Sequence, residues 1–195
     1  MSHALLKNHF SKHLDLTQDE LEQLVAPYQI RSIAKGEYLL RRGDICRFEG
    51  FVTSGCLKIS TTASNGEEKV VYFAGTDWWV MELDSFTNQK ASTLDIRAIA
   101  DSTLLLISHA QKEQLYKDVP VAERLFRLMT QKAVAAWQRR VVHYHTLTAE
   151  ERYLQFLATY PDLAKHITNK QLASYLGITK EFLSVIRRRI SRSGD

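Results

Sequence analysis

Ile167-Thr-Asn-Lys-Gln-Leu-Ala-Ser-Tyr-Leu-Gly-Ile-Thr-Lys-Glu-Phe-Leu-Ser-Val-Ile-Arg-Arg-Arg-Ile190 contains two short amphipathic segments that meet at one glycine. Thr168 followed three residues later by Gln171 is a capping box, in which the hydroxyl accepts an orphan N–H and the amide reaches back to the cap. Ile167 and Leu172 flank it as a hydrophobic staple. Leu172, Ala173 and Leu176 share one side of the first helix, and Ala173 leaves the space that two steeply crossing helices need. Gly177 supplies a left-handed turn that a Cβ would penalise. Ile178 plugs the angle and Thr179 caps the next helix. Two capped helices joined by a short glycine turn predict a helix-turn-helix, from Thr168 to about Arg192.

The second helix sorts by angle. Leu183, Ile186 and Ile190 fall on one face and are expected inside. At about 100° per residue, Glu181, Ser184, Val185, Arg188 and Arg192 fall opposite. A helix fits the major groove of DNA, where base edges are distinguishable. Glu181 can accept from a cytosine amino group, and Lys180 or Arg188 can donate to guanine or phosphate. Thr168 at the head of the first helix, with Thr179, Arg187 and Arg189 on the flanks, suits phosphates, which position rather than specify. From Lys180 to Asp195 five basic residues stand against two acids, the charge balance of a polyanion partner. A chain ending soon after Arg192 would lack a β-hairpin wing and is expected to make fewer phosphate contacts, with a smaller salt slope.

Upstream, Thr148-Ala-Glu-Glu151 caps a helix through Tyr160 that Pro161 stops. Pro120 suits the first turn of a longer helix. From Val121 to about His145 no glycine or proline intervenes, allowing roughly 25 residues, about 37 Å. Val121, Leu125, Leu128 and Met129 make an apolar stripe, continued by Ala133, Ala135 and Ala136 and interrupted by Lys132. That seam predicts pairing with a second copy of the chain.

From Ile33 to Ile107 short apolar runs alternate with Gly36, Gly43-Asp44, Gly50, Gly55, Asn65-Gly66 and Gly75. Asn65-Gly66 between Cys56–Thr62 and Glu68–Phe73 predicts a hairpin, with both residues at positive φ. Regularly spaced short strands predict an antiparallel sandwich or jelly roll. Residues 1–30 read as short helices, the second opened by the box Thr17-Gln-Asp-Glu20. The fold class expected is therefore α+β. A β domain with N-terminal helices covers 1–117, a long dimerisation helix 118–145, and the helix-turn-helix 146–195.

Composition limits the alternatives. The 195 residues are 45% hydrophobic and 25% charged, net charge +4, an ordinary globular balance. No apolar run reaches a membrane span. The start of the chain has no secretory pattern, so the cytoplasm is expected. Cys46 and Cys56 lack metal-ligand spacing, and no metal site or cofactor is expected. No nucleophile–base pair or phosphate loop appears, and Glu82 with Asp84 does not argue catalysis, so no enzyme is expected.

With these parts in order, the chain resembles the Crp/Fnr family of cyclic-nucleotide-fold regulators over nearly its whole length. Lys35-Gly-Glu-Tyr-Leu-Leu-Arg-Arg-Gly-Asp44, Gly55-Cys-Leu-Lys58 and the Asn65-Gly66-Glu hairpin look like the family's early strands. Ile167 through Ile186 matches its DNA-reading segment without a gap. The resemblance implies that Lys180 and Glu181 occupy base-reading positions. The third, usually arginine, is Val185 here, which predicts a different target sequence. It further implies a homodimer on a palindrome, contact with RNA polymerase, and a small-molecule effector of unknown identity.

The effector segment departs from the family pattern. Nucleotide-binding members carry a Gly-Glu-Leu start and an Arg-Ser or Arg-Thr end, whose arginine neutralises the cyclic phosphate. Here Trp79-Val-Met stands at the glycine approach and Ser92 at the arginine, leaving Glu82 and Thr93 as matches. Lys90 offers a charge without a planar fork. No tight cyclic-nucleotide binding is expected. Phe73, Trp78, Trp79 and Phe86 either line an apolar pocket with Glu82, Ser92 and Thr93 or fill that space, and filling is the preferred reading. Iron–sulfur sensing needs four cysteines, which the sequence lacks, and haem sensing has no support. The alternative to a DNA-binding regulator is a ligand- or protein-binding sensor module without DNA binding.

Overall fold

The computed structural model describes residues 2–193. Helices α1 (Ser2–Ser11) and α2 (Gln18–Val25) lead into β1 (Gln29–Ile33), β2 (Tyr38–Leu40), β3 (Phe48–Ser54), β4 (Cys56–Thr62), β5 (Glu68–Gly75) and β6 (Trp78–Val80). The short α3 (Leu83–Asn88) separates these from β7 (Asp95–Ala98) and β8 (Ser102–Ser108). Helices α4 (His109–Asp118), α5 (Val121–Thr146), α6 (Ala149–Thr159), α7 (Pro161–Ala164), α8 (Asn169–Leu176) and α9 (Lys180–Ser193) follow.

The strands form two four-stranded antiparallel sheets, ordered β1-β8-β3-β6 and β2-β7-β4-β5. Side chains alternate faces along a strand, and here the central strands β3, β4 and β8 are buried on both faces over much of their length. Val52, Leu57, Ile96 and Leu104 fill the space between the sheets. Their neighbours Phe51 and Leu105 point the other way, into a layer made with α1, α2, α4 and the start of α5. Cys56, beside Leu57, points into a third cluster with Val70, Phe73, Phe156, Leu176, Leu183 and Ile186. Double-sided burial is why Leu104-Leu-Leu-Ile107 is a continuous apolar run rather than an alternating one.

The β4–β5 hairpin forms as the Asn-Gly signal predicts, but its turn differs. Of the two, Gly66 alone takes a positive φ, 81°. Asn65 instead accepts the Glu67 N–H on its Oδ1 at 3.0 Å, and Gly66 N–H donates to the Ala63 carbonyl at 2.9 Å. The loop is thus longer than a two-residue turn, with glycine at its left-handed position.

One expectation needs correction. The first half of the supposed α5 seam is spent inside the chain: Leu125 is buried, and Val121 and Met129 pack beside it against the layer of α1 and α2. The exposed apolar residues lie further on, at Val134, Trp137 and Val141, spaced i, i+3, i+7. Packing also runs across residue 146. The third cluster joins strands β4 and β5 to helices α6 to α9, because one edge of the second sheet is capped by α8.

Candidate nucleic-acid interface

The two C-terminal helices start and stop where their caps dictate. Thr168 Oγ1 accepts the Gln171 N–H, and the Gln171 side chain accepts the Thr168 N–H at 2.8 Å. At the other end Gly177 adopts φ 71°, its N–H meets the Ser174 carbonyl at 3.2 Å, and the Ile178 N–H returns to Ala173 at 3.0 Å. These are the paired bonds of a Schellman motif. A Cβ on Gly177 would be strained by that left-handed conformation, and at 2.9 Å from the Tyr144 hydroxyl of α5 it would also push that ring aside. Thr179 then caps α9, accepting the Phe182 N–H at 3.1 Å. Leu172, Ala173, Leu176, Leu183 and Ile186 are all buried where the helices cross, and Ile190 is half-buried beside them. At about 1.5–3 kcal/mol per large apolar side chain buried, this cluster fixes the helix pair far more firmly than propensity.

The opposite face of α9 is turned to solvent. Lys180, Glu181, Val185 and Arg188 are exposed, and Ser184 is half-exposed with its hydroxyl donated to the Lys180 carbonyl at 3.0 Å. Among the described residues the Lys180, Glu181 and Arg188 side chains have no ion pair or hydrogen bond. Thr168 and Thr179 are exposed at the heads of α8 and α9. The flanking arginines differ from expectation. Arg187 donates to the Tyr153 hydroxyl at 2.9 Å and to Asn169 Oδ1 at 2.7 Å, so it braces α6 and α8. Arg189 is paired with Glu150 at 3.2 Å. Phe182, in the first turn, is exposed and was not among the expected contact residues. Its 100° offset from the polar face hid it, although its place three residues before Val185 marks it. Asp195 lies outside the described residues.

This helix pair rests on the β domain through named contacts. Val70 N–H on the β5 edge donates to Ser174 Oγ at 3.0 Å, and that hydroxyl lies 3.3 Å from the Glu68 carbonyl. Phe73 packs against Tyr175 at 5.6 Å, and Trp78 against Tyr160 at 4.9 Å. Arg152 of α6 donates to the carbonyls of Leu147 and Leu176, joining the end of α5 to the end of α8.

The five expected effector residues do not converge. Phe73 faces α8, as described. Trp79 packs against Phe10 of α1 and against Phe51, its neighbour on β3 of the same sheet, its Nε1–H donated to His9 Nε2 at 3.0 Å. Glu82 is buried and caps α3, accepting the N–H groups of Asp84 and Ser85 at 3.1 and 3.0 Å. Ser92 is buried in a turn, donating its hydroxyl to the Leu94 carbonyl at 2.9 Å. Thr93 is exposed, and its carbonyl accepts from Thr61. Phe86 packs between the sheets, and Lys90 pairs with Asp84 at 2.7 Å. Trp78 and Phe86 thus contribute to packing. Among the described residues no three His, Cys, Asp or Glu side chains form a metal cage, and no helix is long and apolar enough to cross a membrane.

Known proteins resemble this arrangement at two levels. Residues 30–118 match the cyclic nucleotide-binding domain. Beyond that span, the chain is 24% identical to the transcriptional activator protein anr of Pseudomonas aeruginosa, over 90% of this chain and 75% of that one. It is also 24% identical to the fumarate and nitrate reduction regulatory protein of Vibrio cholerae, over 90% and 73%. The chain is thus similar to regulators of the Crp/Fnr family. The fold agrees with that of the c-di-GMP-responsive global regulator CLP of Xanthomonas campestris, with a TM-score of 0.71 at 18% identity, covering 91% of this chain and 93% of that one. Within the Crp/Fnr frame, the matched domain supplies the two sheets, and helices α5 to α9 extend beyond it.

Proposed function

We propose that this protein is a cytoplasmic, sequence-specific transcription regulator of the Crp/Fnr type in which α8 and α9 form a helix-turn-helix that binds double-stranded DNA. The observation that carries this reading is the set of unpartnered side chains Lys180, Glu181 and Arg188 on one face of α9. Exposed donors and acceptors without internal partners are what base-edge and phosphate recognition requires. Thr168, Thr179, Ser184 and Val185 border that face and complete the contact set. Arg187 contributes by holding α9 in place. Two copies would pair through the exposed α5 stripe of Val134, Trp137 and Val141, and read an inverted repeat whose half-sites lie about 34 Å apart. The division into a sensor part at 1–117, a dimerisation helix at 118–145 and a DNA-reading part at 146–195 follows from that arrangement. RNA polymerase is the partner by which such a regulator acts. An effector, if one acts, is not a cyclic nucleotide, because Glu82 is spent as a cap and Ser92 replaces the phosphate-neutralising arginine.

The test is selection of binding sequences from a pool of random duplexes by the full chain. A common inverted repeat is expected, with affinity reduced about 100-fold by Glu181→Ala plus Arg188→Ala, at roughly 1–3 kcal/mol for each lost base contact. No enrichment of any sequence would overturn the proposal in favour of a sensor without DNA binding.

A further inference from the structure

The contact set leaves Phe182 without a role and Val185 without a stated target on the DNA. Phe182 is 47% exposed and Val185 44% exposed. Three residues apart, they are neighbours on one flank of the helix, beside Glu181 and Arg188 but separate from the flank of Lys180 and Ser184. Phe182 sits in the first helical turn, where its N–H is held by Thr179. Among the described residues it makes no ring contact with any other aromatic side chain. Phenylalanine and valine are poor choices for a solvated helix surface, being weaker helix formers than alanine or lysine and gaining nothing from water. Their adjacency gives the outer face an apolar half and a polar half.

The major groove has one apolar feature to match, the C5-methyl group of thymine. We propose that Phe182 and Val185 read thymine methyl groups, so that each half-site places T·A pairs opposite this flank and the polar half reads its neighbours. This rests on the DNA-binding reading above and specifies what part of its face recognises.

The experiment uses the full chain and a duplex that it has selected from the random pool. Each thymine is replaced in turn by 2′-deoxyuridine, which deletes one methyl and leaves base pairing and every other groove atom in place. One or two positions per half-site are expected to lose about fourfold in affinity, the worth of one buried methyl. In Phe182→Ala or Val185→Ala, with helicity checked by circular dichroism, the loss at the matching position should disappear. A selected duplex in which every replacement is neutral overturns this inference and leaves the regulator reading standing. So does a uracil effect that persists undiminished in both variants, since the methyl then meets another residue. Failure to select any sequence overturns both.

Discussion

The outer face of α9 and the segment from Phe73 to Thr93 were both candidate binding sites in the sequence, and the structure treats their polar groups in opposite ways. On α9 the charged side chains of Lys180, Glu181 and Arg188 are exposed, with no hydrogen-bond or ion-pair partner among the described residues. Between Phe73 and Thr93 the carboxylate of Glu82 caps a helix, the Ser92 hydroxyl closes a turn and Lys90 is paired with Asp84. Its aromatic rings are divided among three packing clusters. A binding site is marked by chemistry left unspent, and a residue type at the expected position says little until its partners are known.

The largest effect should come from undermining the support of the α9 face rather than the face itself. Leu183→Ala opens a cavity in the cluster beneath it and is expected to cost about 2–5 kcal/mol, seen in urea denaturation, with DNA binding lost in parallel. Glu181→Ala plus Arg188→Ala should do the reverse, lowering affinity about 100-fold while moving stability by less than about 0.5 kcal/mol. Glu82→Ala sharpens the contrast from the other side. Loss of the cap should cost about 1 kcal/mol of stability without changing affinity for the selected duplex. Titration calorimetry of the unaltered chain with cAMP or cGMP should show no binding; micromolar affinity would restore the segment as a ligand site.

The smallest effect concerns pH. Burial holds the His9 imidazole below its ordinary value of 6.5, against the pull of Asp77 and with the repulsion of Lys12 and Lys132. Its Nε2 accepts from Trp79, so Nδ1 carries the proton donated to Asp77 at 2.8 Å. His13, packed at 5.0 Å from His9, is lowered in the same direction, first by burial. A depressed folded-state value makes this stabilisation complete above 6.5 and lost as pH falls through the lower folded value. Asp77 is itself held below 3.8, so its own contribution persists through that window. Denaturation midpoints should therefore fall between pH 7 and 5, and His9→Gln should flatten that slope.

Much of the fold was legible because it rests on local chemistry. The boxes at Thr17, Thr148 and Thr168 and the left-handed Gly177 depend on residues within four positions of one another, and each forms as read. The inward face of α9 followed from helical period alone. What stayed hidden is set by distant partners. Leu125 faces its own sheet rather than a second copy, and no spacing within α5 distinguishes the two. Arg187 read as a phosphate contact because Tyr153 lies 34 residues away. The seat of α8 on the β5 edge depends on Ser174, a residue with no local signal.

The central claim is that the α9 outer face meets DNA, and a single thiol can test it. Cys46 and Cys56 are buried, and burial raises both thiols, Cys56 to about 12, so neither competes for alkylation. In Ser184→Cys, the rate of iodoacetamide labelling is measured with and without the selected duplex at saturation. The account predicts labelling slowed at least tenfold by that duplex and restored by raising salt, which releases it. An unchanged rate on a duplex shown to be bound would place the contact elsewhere and contradict the account.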